Sequence, residues 1–306
     1  MHEAGSMMAS LLVKNPVIAR PIVQGLANGA GFGLVAVGIV LIYKSSRVFN
    51  FAAGEFVTLG AFGTYLADFY VPFGIAMLIG VLTGTVAGLV TERLVVRPLA
   101  NRPKVTILVA TVAIAFIVIP IEIIRSSKTQ AFAARPIIHG NAFQIFRVFV
   151  SWQQLIIVVV LVAVGAAMAY FFNQTDLGLA TLASSQEPTA TRLMGIRLNR
   201  ISMLVWGTAG ALGGLAGVLL PPLNLNFFAG FGTTDVLIAA FTAAVLGGMT
   251  SVPGAFVGGV LLGVVQAGAQ ANIDSNSLPG APAVAVLAVL VIVLVVRPTG
   301  LLGREA

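Results

Sequence analysis

The chain has no cysteine and very little charge. Without cysteine there is no disulfide framework and no thiolate-held metal. The two histidines, His2 and His139, are far apart, so no metal site is expected. No Ser/His/Asp set or carboxylate pair stands out as a catalytic centre, so no catalytic residue is assigned. A G-x-x-x-x-G-K-[ST] phosphate loop is also missing. The Lys44-Ser45 pair lacks the glycines that would cradle phosphates. The chain therefore does not hydrolyse ATP by that route. Charged residues are only 9% of the 306, where a soluble domain carries about 25%.

What the chain has instead is apolar length, with 58% hydrophobic residues. No charged side chain occurs in Leu155–Phe172, Ile201–Thr234, Val236–Ile273 or Ser275–Val296. A bilayer-spanning helix needs about 20 mostly apolar residues. A β-barrel would alternate polarity in segments of about ten, and these runs do not alternate. The composition predicts an all-α polytopic membrane protein. The net charge of +7 reflects Lys and Arg beside membrane helices; no aromatic RNA motif or long basic tail suggests nucleic acid.

Apolar segments fall at 21–43, 56–71, 73–92, 105–124, 152–172, 201–220, 235–249, 254–272 and 281–296. This predicts about eight to ten transmembrane or re-entrant helices in one domain, residues 1–306, with residues 1–20 as a lead-in and 173–200 as a polar loop. The segments 56–71 and 235–249 are short, and the stretch 44–60 is a candidate for a dip into the membrane. No internal repeat is evident by eye. Basic residues set orientation. Arg93, Arg97, Arg102 and Lys104 form one loop, Arg192, Arg197 and Arg200 a second, and Arg297 and Arg304 mark the C-terminal end. Even numbers of segments join the three, which places them on the cytoplasmic side. The loop 125–149 then lies outside despite Arg125, Lys128, Arg135 and Arg147. If the first three segments all cross, the N-terminus lies outside with Lys14 and Arg20; if one of them only dips into the membrane, the N-terminus is cytoplasmic.

Glycines recur every fourth residue at Gly25, Gly29 and Gly33, at Gly80, Gly84 and Gly88, and at Gly210 and Gly214. The same spacing joins Gly213 to Gly217 and Gly254 to Gly258. That spacing puts them on one helix face, where backbones approach closely.

The loop holds a charged island, QEPTATRLMGIRLNR, residues 186–200. Pro188 suits a helix's first turn and Gly195 the position just past its end. Ala190, Leu193 and Met194 share one face. A short amphipathic helix of about two turns is expected outside the bilayer, preceded by another over 177–185. A helix so short needs a partner to bury Leu193 and Met194. The candidates are the membrane surface, the protein's own helix ends or a cytosolic protein.

The stretch TDLGLATLASSQEPTATRLMGIRLNRISMLVWGTAGALGGLAGVL resembles the cytoplasmic loop and next helix of branched-chain amino-acid ABC transporter permeases of the LivH type. So do YKSSRVFNFAAGEFVTLGAF, TERLVVRPL, LGGMTSVPGAFVGGVLLGVVQ and VVRPTGLLG, in the family's order, from about residue 21 to 303. The resemblance implies a bacterial inner-membrane permease that works by alternating access and is not itself an enzyme. It implies two cytosolic subunits that bind ATP and Mg, and an extracytoplasmic solute-binding protein. It also implies a second permease, of the LivM type or a second copy of this chain. Carried over by motif, Glu187, Pro188, Ala190, Arg192, Leu193, Met194 and Gly195 form the coupling helix. The family often has Asn-Pro in place of Glu187-Pro188, and His in place of Ala53.

In RVFNFAAGEF, Asn50, Gly54 and Glu55 are candidates to line the translocation path, since ionisable groups at membrane depth tend to face a cavity or a partner. Gly54 is read as permitting an unusual turn. The alternative is an interfacial Glu55 paired with Arg47 or Lys44. Asp68, Glu122, Asp235 and Asp274 are read as wetted groups near helix ends. The substrate class implied is branched-chain amino acids or a related small polar solute, with urea and short amides open. The competing readings are a stand-alone channel or secondary transporter, and an intramembrane enzyme, which lacks a visible nucleophile–base pair.

Overall fold

The computed structural model describes residues 16–126, 131–145, 148–273, 280–297 and 299–303. His2, Lys14, Lys128, Arg147, Asp274 and Arg304 lie outside the described residues. Apolar runs in lipid must satisfy every backbone N–H and C=O internally, which selects helices. The described helices are α1 Pro16–Ser46, α2 Ala53–Ala67, α3 Phe73–Thr91, α4 Lys104–Ser126, α5 Trp152–Gln174, α6 Asp176–Gln186, α7 Pro188–Leu193, α8 Leu198–Leu219, α9 Pro221–Asn224, α10 Leu237–Gly247, α11 Val252–Asn272 and α12 Ala281–Val296. Wide π-helical turns extend α3 over Glu92–Val96 and lead into α10 over Gly232–Val236. Among the described residues, six helices are long and apolar enough to cross a membrane. Three shorter ones, α2 and the segments Gly232–Gly247 and Ala281–Val296, add to them. The expected eight to ten elements are met.

Strands are few among the described residues. β1 Phe132–Ala133 pairs antiparallel with β4 Asn226–Phe227, and β2 Asn141–Ile145 with β3 Val148–Ser151. The β1–β4 contact carries a ring cluster of Phe62, Tyr65, Phe132 and Phe227, with centroids 5.1–5.8 Å apart. Arg135 reaches Asp68 at 3.4 Å nearby. This end of the bundle is opposite the one that gathers Arg47, Arg97, Lys104 and Arg192 around a single cavity. The loop that carries Arg135 is therefore on the far side from the basic loops. Helix α1 runs the full span and ends on the basic face, so its N-terminal end and Arg20 lie opposite.

Burial grades the helices. In its most apolar stretch α1 is 89% buried and α8 72%, against 22% for α3 and α4 and 17% for α5. The first two form the centre, and the others present apolar side chains outward. The packing is paired. Helix α1 lies along α11, and α8 along α3; α2 packs on α3 and α8, α10 on α11 and α1. Exchanging α1 with α8, α2 with α10 and α3 with α11 maps this pattern onto itself. Helix α1 ends at the basic face while α8 begins there, so the two halves are inverted. Short sequence echoes follow the same exchange. Asn50-Phe51-x-Ala53-Gly54, leading into the first turn of α2, matches Asn226-Phe227-x-Ala229-Gly230 before α10, and GVLTG at 80–84 in α3 matches GVLLG at 259–263 in α11.

The glycine rows sit at these contacts. A Cβ built on Gly84 would lie 2.6 Å from the Gly210 carbonyl oxygen and from the Gly214 Cα. One on Gly29 would lie 2.6 Å from the Gly259 carbonyl oxygen, and one on Gly25 2.6 Å from the Val264 Cα. Gly88 backs onto Trp206 and Gly210, and Gly80 onto Gly60 and Thr64. A Cβ on Gly33 would meet the Leu161 side chain of α5 at 3.2 Å and the Phe256 carbonyl oxygen at 3.6 Å, and one on Gly259 would run into the Gly33 Cα.

Candidate functional site

Three places gather the polar side chains. The first is the basic face. Helix α6 is capped by the Thr175 hydroxyl, which accepts from the Gly178 N–H at 3.0 Å. Pro188 opens α7, which is six residues long, close to the two turns expected. Its end is a Schellman motif: Ile196 N–H donates to Thr191 C=O at 3.3 Å and Gly195 N–H to Arg192 C=O at 3.0 Å. Gly195 has φ +82°, a left-handed conformation that a side chain would strain. Thr191 is buried, its hydroxyl donating to the Glu187 carbonyl at 2.8 Å. Glu187, Ala190 and Arg192 are exposed. Leu193 is 84% exposed and Met194 80%. The chain's own helix ends do not cover this pair. Behind α7, a cavity of about 260 Å³ is lined by Arg47, Arg97, Lys104, Arg192 and Asn199, with Glu92. Arg97 is held there by a two-pronged bond to Glu92, at 2.8 and 3.2 Å. The closing segment packs on the end of α10, where Leu301 N–H donates to Leu246 C=O at 2.8 Å and Leu302 N–H to Gly247 C=O at 3.0 Å.

The second place is a junction where two interrupted helices meet inside the bundle. The chain re-enters from the basic face after Arg47, which takes φ +57°. The Asn50 side-chain oxygen accepts from Ala52 N–H at 3.0 Å, and Phe51 N–H donates to the Thr111 hydroxyl of α4 at 3.2 Å. Helix α2 then starts with Glu55 in its first turn. The turn before α10 meets it: Thr233 donates its hydroxyl to Glu55 Oε1, and Gly232 N–H donates to the Thr58 hydroxyl at 3.0 Å. Gly54 is helical, so it provides no unusual turn. It is small because a Cβ there would lie 2.6 Å from the Thr233 Cα. Glu55 is fully buried and is not paired with a cation: Lys44 sits over the Phe172 ring at 4.7 Å and Arg47 over Tyr43 at 5.8 Å. Glu122 is not a wetted helix-end group. It is buried, and its Oε2 accepts from the Gly230 N–H at 3.0 Å.

The third place is a cavity of about 340 Å³ toward the opposite face, between α1, α10, α11 and α12. Its polar lining is Asn28, Asn224, Thr234, Asp235, Gln266 and Gln270. Asp235 is its one charged side chain. Asn50, Gly54 and Glu55 do not line it; the turn 232–236 stands between. The amides Asn28, Gln266 and Gln270 were the available sequence signal, polar groups inside otherwise apolar runs.

A bundle of inverted halves with glycine-packed helices, interrupted helices meeting at its centre and a polar cavity beside them is a multi-pass membrane transport protein. The chain belongs to the family described as branched-chain amino acid transport system/permease component, whose model matches residues 22–296. It is 30% identical to the high-affinity branched-chain amino acid transport system permease protein BraD of Pseudomonas aeruginosa, over 93% of this chain and 95% of that protein. It is 27% identical to LivH of Escherichia coli K12, over 92% and 94%. To the probable LivH of Methanocaldococcus jannaschii it is 30% identical, over 76% and 75%. No solved structure matches the chain significantly.

Proposed function

We propose that this chain is the membrane-spanning permease subunit of an ATP-binding-cassette importer in a bacterial cytoplasmic membrane. Its one domain spans residues 1–306. The substrate is a branched-chain amino acid or a related small polar solute. The observation that carries the reading is the pair Leu193 and Met194, held out by a capped short helix and left uncovered by the other described residues. Two cytosolic subunits that bind ATP and Mg clasp residues 187–195. A second permease, LivM-like or a second copy, completes the membrane part, and a solute-binding protein delivers substrate to the face bearing Asp68 and Arg135.

The cavity of about 340 Å³ supports a small solute, being at the low end of the roughly 300–1,000 Å³ of ligand pockets. Its amides and single carboxylate suit a polar or zwitterionic molecule better than a lipid. Relatives named for branched-chain amino acid transport favour that class. The test is uptake of radiolabelled leucine, and of urea in parallel, into proteoliposomes. The complete complex with ATP inside concentrates leucine; the permease without its ATPases does not. Accumulation by the permease alone would overturn the reading in favour of a secondary transporter.

A further inference from the structure

We propose that Glu55 and Glu122 together bind one proton, as a carboxylic acid hydrogen-bonded to a carboxylate, at the junction of the two interrupted helices. Glu55 lies about 20 Å along α2 from Asp68, at 1.5 Å per residue, so it is deep in the bundle. Its relative exposure is 0% and that of Glu122 is 6%. The two carboxyl groups are within hydrogen-bonding reach of each other. Each already uses one oxygen on the turn that precedes α10: Glu55 Oε1 takes the Thr233 hydroxyl and Glu122 Oε2 the Gly230 N–H. The other oxygens, Glu55 Oε2 and Glu122 Oε1, are buried with no donor. A buried acceptor left without a donor is costly, and one proton between these two oxygens satisfies both.

Charge leads to the same count. The ion pairs among the described residues, Arg97–Glu92 and Arg135–Asp68, are elsewhere. Besides each other, the two carboxyls meet the Thr233 hydroxyl and the Gly230 N–H, and no ion pair among the described residues involves either. Asp235, on the same turn, lines the outward cavity. What faces the pair is the N-terminus of α2 and that of the helix Gly232–Gly247. Each helix N-terminus is equivalent to about half a positive charge. Two of them offset one carboxylate and not two, and two like charges in contact in an apolar interior do not both ionise. The unpaired oxygens are sealed from solvent, so a proton fits between them where a hydrated ion does not.

The experiment is infrared spectroscopy of the full-length permease in lipid at neutral pH, with the carbonyl stretch of a protonated carboxylic acid as the readout. Wild type shows one such band that exchanges slowly in D2O. Glu55→Gln and Glu122→Gln each abolish it, although the other glutamate is still present, because the amide then donates to the remaining carboxylate. A band that survives in either variant and shifts with 13C-glutamate means that the remaining glutamate holds a proton of its own and overturns the shared proton. No band in wild type means two ionised groups and overturns it too. Labelling wild type with 13C-glutamate must shift the band, which keeps the test available if a variant does not fold; an unshifted band counts against the proposal.

Discussion

Replacing Leu193 and Met194 together attacks the proposed docking surface without touching the fold. Leu193 exposes 84% of its surface and Met194 80%, so neither contributes much to the bundle. Surface changes of this kind move stability by about 0.5 kcal/mol or less. Full burial of such a side chain is worth roughly 1.5–3 kcal/mol, so burying four-fifths of each in a partner's groove contributes about 2.5–5 kcal/mol for the two. At about 1.4 kcal/mol per tenfold, the double alanine variant binds the ATPase roughly 60- to 4,000-fold more weakly. Glutamate at both positions does more, because two carboxylates must be desolvated in the groove. The assays are ATPase co-purification across a concentration series, ATP-driven uptake in proteoliposomes and the melting temperature of the detergent-solubilised permease. Uptake falls to background while the melting temperature holds within a few degrees. Undiminished uptake by the double glutamate variant, with normal membrane insertion, would refute the coupling argument.

At the α3–α8 contact, Gly84→Ala places a methyl 2.6 Å from the backbone of Gly210 and Gly214, a clash that costs about 1–3 kcal/mol and lowers the yield of folded permease. Gly74→Ala is the control: nothing stands within 4 Å of its Cβ position, and size-exclusion profiles of the two variants separate them. At the end of α7, Gly195→Ala strains a residue at φ +82° by about 1–2 kcal/mol. ATPase affinity then drops about five- to thirtyfold in co-purification, and Gly195→Asn, better tolerated in that conformation, drops less. Asp235→Leu removes the one charge of the outward cavity. Uptake falls while co-purification with the ATPase stays at the wild-type level.

The apolar runs marked the helices to within a few residues, because spanning length and hydropathy are properties of a contiguous stretch. The two short runs, 56–71 and 235–249, pointed to α2 and α10, which begin inside the bundle. Pro188 and Gly195 fixed α7 for the same local reason: a cap is built from neighbours in the chain. Glu122 escaped this logic. Its place four residues before the end of α4 suggested a wet interface, and only the fold brings it to Glu55 and Gly230. Gly54 was read as a turn and is a point of contact; both need a missing side chain, and sequence does not tell them apart. The Asn226–Gly230 echo of Asn50–Gly54 is five residues long, and it gained meaning once the two segments met from opposite sides.

Sequence alone determined that this chain resides in a membrane, roughly how many membrane elements it makes, which loops are basic and where a short helix stands out from the lipid. Each follows from residues adjacent in the chain. Tertiary structure decided which polar groups meet: the glutamates at the junction, and the amides with Asp235 around the outward cavity. The physical reason is that a buried hydrogen bond depends on helix crossings between residues far apart in sequence, and the inverted pairing of the two halves sets those crossings.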